Sequence, residues 1–288
     1  MYHKKVTLSP RPTMRQLASF MKKVEEFARS KKFADAKANY PKVDPATVRF
    51  LSQILGIAPE VLRRWKLDPD IKNGTIYLTS LLKDKAVGAY DGRVTAKDTG
   101  IAGTVDKNDR TGANDPTMTA VGGVYTAMWN MYLNEELKYT STSPFLDVND
   151  KIDHWNFDHV DPTGKKRKGV QGLYTAGDLA ASMELNPYLK VFSANGYYDS
   201  VTPFFQTKLD LENMPLGNKK SHDKLPPNLV FRTYRSGHMI YLDKDSRKEM
   251  KNDLGTFYDR TLAHPTAEIA KPEDRIILYR RRFNRTPY

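Results

Sequence analysis

The chain has 288 residues, enough to bury a substantial core in one or two domains; with 39% hydrophobic residues it suits a globular fold, and the lack of cysteine excludes disulfides, thiolate metal sites and a cysteine nucleophile. Lysine and arginine outnumber aspartate and glutamate 46 to 34, a net charge of +12 that could draw nucleic acid, yet the charges are scattered rather than striped, so a solvated surface is expected and nucleic acid is not an expected partner. No stretch is long and apolar enough to span a membrane, and Met1 is followed by Tyr-His-Lys-Lys rather than by an apolar signal core.

From the N-terminus, Leu17, Phe20, Met21, Val24 and Phe27 recur at spacings of three and four, which predicts an amphipathic helix over 13–28 with Thr13 as its cap. Its apolar face reads as a packing seam. Asp44-Pro45 starts a second helix that Gly56 stops, and Pro59 opens a third through Leu67. Residues 1–85 are thus expected to be helical and to hold no catalytic constellation.

The pattern turns extended from Asp84 to Val94. A long loop rich in Gly, Asp, Asn and Thr follows, from Ala96 to Pro116. Pro116 opens a helix to about Lys138, whose Met118, Val121, Tyr125, Met128, Trp129 and Tyr132 form a stripe expected to be core. Between 153 and 161 stand Asp153, His154, Asp158, His159 and Asp161, a set that could offer nitrogen and oxygen ligands. Their spacing does not put both imidazoles on one strand face, so no metal and no cofactor are expected. Lys165-Lys166-Arg167-Lys168 makes a basic turn, expected to be solvated.

A helix over Gly177–Leu185 leads into Asn186–Pro203, the stretch around which the reading is organised. Leu189–Ala194 predicts a short buried strand, Asn195-Gly196 a turn, and Thr202-Pro203 the start of a helix, which leaves Asp199 on a loop. A second unit repeats the plan. Leu229–Tyr234 predicts a strand, Arg235–Met239 a loop bearing His238, and a helix begins near Asp245 and runs to about Leu262. Met250, Leu254, Phe257 and Tyr258 are its expected buried side. The remainder, 263–288, carries Arg280-Arg281-Arg282 and Arg285 and is expected to be an unstructured basic tail.

An Asp on one strand tip and a His on the next follow the order of a charge relay in which serine comes first along the chain. The imidazole takes the serine proton, and the carboxylate fixes its tautomer. N-P-Y-L-K-V-F-S-A-N-G-Y-Y-D-S-V-T-P-F, with G-H-M-I-Y downstream, resembles the C-terminal part of the serine carboxypeptidase family, in particular its bacterial branch. The resemblance runs from Tyr2 to about Tyr258. It implies an α/β class, with 1–85 as a helical cap over the active site and 86–262 as the C-terminal part of an α/β-hydrolase core. It also implies Asp199 and His238 as the catalytic Asp and His, the carboxylate orienting the imidazole that serves as base, and a peptide or protein as substrate. Asp91 and Arg93 resemble a motif of the same family and read as a structural ion pair. Where better-known members carry an acid that recognises a free carboxylate, this chain has Met239, which puts exopeptidase specificity in question.

No serine here lies in the G-x-S-x-G setting that a nucleophile elbow requires. Ser193 is flanked two residues away by Val191 and Asn195, and Ser236 by Tyr234 and His238. The expectation is therefore a C-terminal half that lacks its nucleophile, partnered by a missing N-terminal half and silent alone. The alternatives are a non-catalytic basic binding module, or another hydrolase activity such as an esterase.

Overall fold

The computed structural model describes residues 3, 5, 13–30, 35, 40–67, 81–97, 115–141, 156–162, 164–186, 188–216 and 225–262. The expected loop at 98–114, Asp153, His154 and the basic tail 263–288 lie outside them. Helix and strand are mixed, and the described strands form three separate two-stranded sheets. The chain condenses into two compact units, each gathered from distant stretches. One comprises Met1–Trp155, Asn195–Phe205 and Arg235–Asp243; the other comprises Asn156–Ala194, Gln206–Tyr234 and Lys244–Tyr288.

In the first unit, helix α1 (Met14–Arg29) starts at Thr13 through a reciprocal capping box with Gln16. Helix α2 (Pro45–Leu55) is capped by the Asp44 carboxylate, which accepts from the amides of Ala46 and Thr47. It stops at Gly56, whose φ of 69° is left-handed. Helix α3 (Pro59–Arg64) ends three residues short of the expected Leu67, because Lys66 and Leu67 both turn to positive φ. Leu67 nonetheless joins Val48, Leu51, Ile57 and Leu62 in one buried cluster. Phe27 of α1 packs on that cluster and meets the Phe50 ring at a tilt, centroids 4.6 Å apart.

The stretch read as extended from Asp84 to Val94 is strand only at β1 (Lys85–Val87), paired antiparallel with β2 (Thr95–Lys97). Between them the backbone closes a turn, with Gly88 N–H donating to the Val94 carbonyl and Val94 N–H to that of Asp91. Helix α4 (Pro116–Met131), capped by Asp115, passes into a π-helical turn at Tyr132–Glu136. Its expected core stripe is a correction. Tyr125, Met128, Trp129 and Tyr132 are all exposed, and burial is confined to Pro116 and Thr117 in the first turn. Periodicity told which face is apolar, not whether another element covers it.

In the second unit, the two-residue strands β3 (His159–Val160) and β4 (Lys166–Arg167) pair across a turn closed by Gly164 at φ 83°. Arg167 is not solvated with its lysine neighbours: it reaches back to Asp161 at 3.4 Å and lies over the Tyr174 ring. Helix α5 (Ala176–Leu185) buries Ala180 and Met183 against Met214 and Leu229. Strand β5 (Val191–Gly196), helix α6 (Phe204–Glu212), strand β6 (Leu229–Tyr234) and helix α7 (Lys244–Leu262) complete the order. Val191 N–H donates to the Asn228 carbonyl and Tyr198 N–H to that of Ser236, so the partners rise together, as they do in a parallel pair. On α7, Met250, Leu254 and Phe257 are half-buried, but Tyr258 is exposed. The side of α7 expected to be buried is thus one residue narrower.

Candidate active site

Strand β5 overruns the expected turn. Asn195 and Gly196 are its last residues, and both are buried. Gly196 is required by crowding rather than by turning: a Cβ there would lie 2.3 Å from the Gly237 carbonyl oxygen and 2.6 Å from that of Ser236. The turn comes at Tyr197-Tyr198 and presents Asp199, whose side chain is only 4% exposed. Its Oδ1 accepts from the amides of Val201 and Thr202 at 2.8 and 3.0 Å, an Asx turn that fixes the carboxylate plane. That leaves Oδ2 for side chains. His238 Nδ1 lies 3.0 Å from it and the Thr202 hydroxyl 2.6 Å, and Thr202 Oγ1 is itself 3.1 Å from Nδ1.

These three distances close a triangle. The threonine hydroxyl donates to Oδ2, so its lone pair and the carboxylate both face Nδ1, which accordingly carries the proton. Nε2 is then the bare nitrogen, and it has no hydrogen-bond partner among the described residues. The imidazole is 36% exposed, so solvent or a substrate can reach it. Every lone-pair direction of the buried carboxylate is met, the condition under which a buried charge is tolerated.

The loop carrying His238 is held as firmly. His238 N–H donates to the Tyr90 carbonyl at 2.7 Å, and the Tyr90 ring stands edge-on to the imidazole, centroids 5.3 Å apart. Gly237 admits this approach, since a Cβ would meet the Tyr90 carbonyl at 2.3 Å. Arg93 braces both sides. Its guanidinium chelates Asp91, reaches Asp243 at 2.7 Å and the Arg235 carbonyl at 3.0 Å, and lies over the Tyr198 ring. Burial alone lowers its proton affinity, but the hydrogen bonds and charges of Asp91 and Asp243 outweigh that and raise it above an ordinary arginine's.

The residues read from the sequence therefore separate into three fates. Asp199 and His238 are brought together, and Asp91 and Arg93 form the expected ion pair at 2.7 Å. Met239 follows His238 as a half-buried residue ahead of a 3₁₀ turn at Ile240–Leu242, and its thioether offers no proton to a carboxylate. Ser236, wholly buried, donates to the Gly237 carbonyl and is enclosed. In the histidine-rich stretch His159 pairs with Asp178 and Asp161 with Arg167; among the described residues no three ligand side chains gather as a metal would need.

Two contributors are not evident from the sequence: Thr202 has the pattern of a helix opener, and Tyr90 lies in a stretch of extended pattern. The signal for Thr202 was its place three residues after the acid, where an Asx turn brings a side chain back to its own carboxylate. Comparison of the chain with protein-family models, with curated proteins and with solved structures returns no match.

Proposed function

We propose that Asp199 and His238 are the orienting carboxylate and the general base of a serine-type charge relay, and that the chain is the relay-bearing part of a carboxypeptidase-like peptidase on an α/β-hydrolase sheet. One observation carries this reading: a buried, fully hydrogen-bonded carboxylate holds Nδ1 of an accessible imidazole, with Nε2 left open. The parallel pair β5–β6, with Asp199 and His238 just beyond its strands, supports the sheet assignment. In this reading Nε2 takes the proton of a serine hydroxyl as its oxygen bonds to the carbonyl carbon. Nε2–H then passes that proton to the amine as the C–N bond breaks, and water later releases the acyl group by the same route. No serine of the 288 residues lies in a nucleophile-elbow motif, so the hydroxyl and the oxyanion donors are contributed from outside them.

The test is hydrolysis of N-blocked dipeptides, and of matching esters, by the protein expressed from its full reading frame. His238→Ala is expected to lower kcat by about 10⁶ and Asp199→Asn by about 10⁴, with KM little changed. Equal turnover in His238→Ala, or no hydrolysis by the full frame, overturns the reading. Cleavage of internal bonds with blocked C-termini spared overturns only its exopeptidase part.

A further inference from the structure

We propose that the hollow between β5, β6 and α7 is a binding site for a small aromatic oxyanion, separate from the Asp199–His238 pair and independent of the function proposed for it. The hollow lies wholly within the second unit and measures about 210 Å³. A cavity of about 150 Å³ accepts benzene, so a ring with one substituent fits. Its apolar wall is Phe192 and Val230 from the strands and Phe257 from the helix, the two rings meeting edge to face at 5.4 Å. Such a wall offers a third ring the tilted contacts that aromatic groups prefer.

The polar lining sets the charge of the occupant. Lys190, Arg232 and Arg260 face the hollow against one carboxylate, Asp253. Asp253 is already engaged, accepting from the Tyr234 hydroxyl at 3.0 Å and pairing with Arg232 at 3.3 Å. The side chains of Lys190 and Arg260 have no hydrogen bond or ion pair among the described residues. The neutral groups donate inward instead. Thr256 and Thr261 give their protons to carbonyls of their own helix, and the Asn228 amide gives one to Leu189. What remains on offer to a ligand is positive charge at the mouth and apolar surface within, which matches a planar ring bearing a carboxylate or a phosphate.

Phenyl phosphate and benzoate are the probes, with benzyl alcohol and inorganic phosphate as controls, read by calorimetry and by amide shifts on the full chain. Phenyl phosphate or benzoate is expected to bind and to shift the amides of 253–261, and the tighter of the two names the anion. Each control alone is expected to bind at least tenfold more weakly. Lys190→Gln with Arg260→Gln, both changes on an exposed rim, is expected to weaken binding tenfold or more while the thermal melt stays put. The proposal fails if neither probe shifts those amides, or if the double variant binds as the parent does. Either result leaves the relay reading as it stands, because no residue of the Asp199–His238 site is touched.

Discussion

Among the described residues stand two histidine–carboxylate pairs of nearly equal length, and they are built differently. His238 meets Asp199 at 3.0 Å, and His159 meets Asp178 at 3.1 Å. Asp178 sits in the first turn of α5 with its side chain 42% exposed, and His159 is its carboxylate's sole hydrogen-bond partner among the described residues. Asp199 is 4% exposed, its two oxygens take two backbone amides and a hydroxyl besides the imidazole, and the loop opposite is pinned to Tyr90. Distance alone does not prepare a histidine for proton transfer. A carboxylate that cannot turn away does, because its orientation is fixed before any substrate arrives.

The largest test of that contrast is functional. On the relay reading proposed above, His238→Ala is expected to abolish hydrolysis, while His159→Ala leaves kcat/KM within about threefold of the parent. Equal losses would put the two pairs on one footing. The next is structural. Arg93→Met removes the cation shared by the partly buried carboxylates of Asp91 and Asp243, so unfolding in urea is expected to show a loss of about 3 kcal/mol. Among the described residues nothing comparable braces His159. A midpoint unchanged in Arg93→Met would show that the brace is dispensable.

A smaller effect isolates Thr202. Thr202→Val keeps the shape and deletes the hydroxyl that joins Asp199 Oδ2 to His238 Nδ1. It is expected to lower kcat about tenfold, and Thr202→Ser to stay within about threefold of the parent. A merely structural role would lower melting temperature and kcat together. The relay role predicts that kcat falls in Thr202→Val while KM and melting temperature hold, and that Thr202→Ser restores it.

What the sequence disclosed follows from how local each cause is. Caps and stops at Thr13, Asp44, Pro45 and Gly56 depend on neighbours a few residues away, and those helices begin where they were expected. The Asp199 and His238 loops were legible because each follows an apolar run that ends in a turn. Burial across the chain was not legible in the same way. The aromatic stripe of α4 has the spacing of a core face and is exposed. Gly196 has the look of a turn residue, yet its role is to let the Ser236 and Gly237 carbonyls approach, which only the neighbouring loop reveals.

The smallest effect is also the sharpest for the comparison. Asp178→Asn removes the charge from the second pair, and its cost follows from exposure. A carboxylate that is nearly half solvated in the folded state loses little hydration on folding, and ordering two side chains offsets much of the attraction. The expected change in unfolding free energy is about 0.5 kcal/mol or less, a shift of the urea midpoint close to the error of measurement. Asp199→Asn puts an amide where three donors besides the imidazole converge, so its NH₂ must face at least one of them. It is expected to cost at least 1 kcal/mol more than Asp178→Asn. Equal costs would mean that the Asx turn and Thr202 add nothing to the hold on His238, and the distinction between the two pairs would reduce to which loop each happens to occupy.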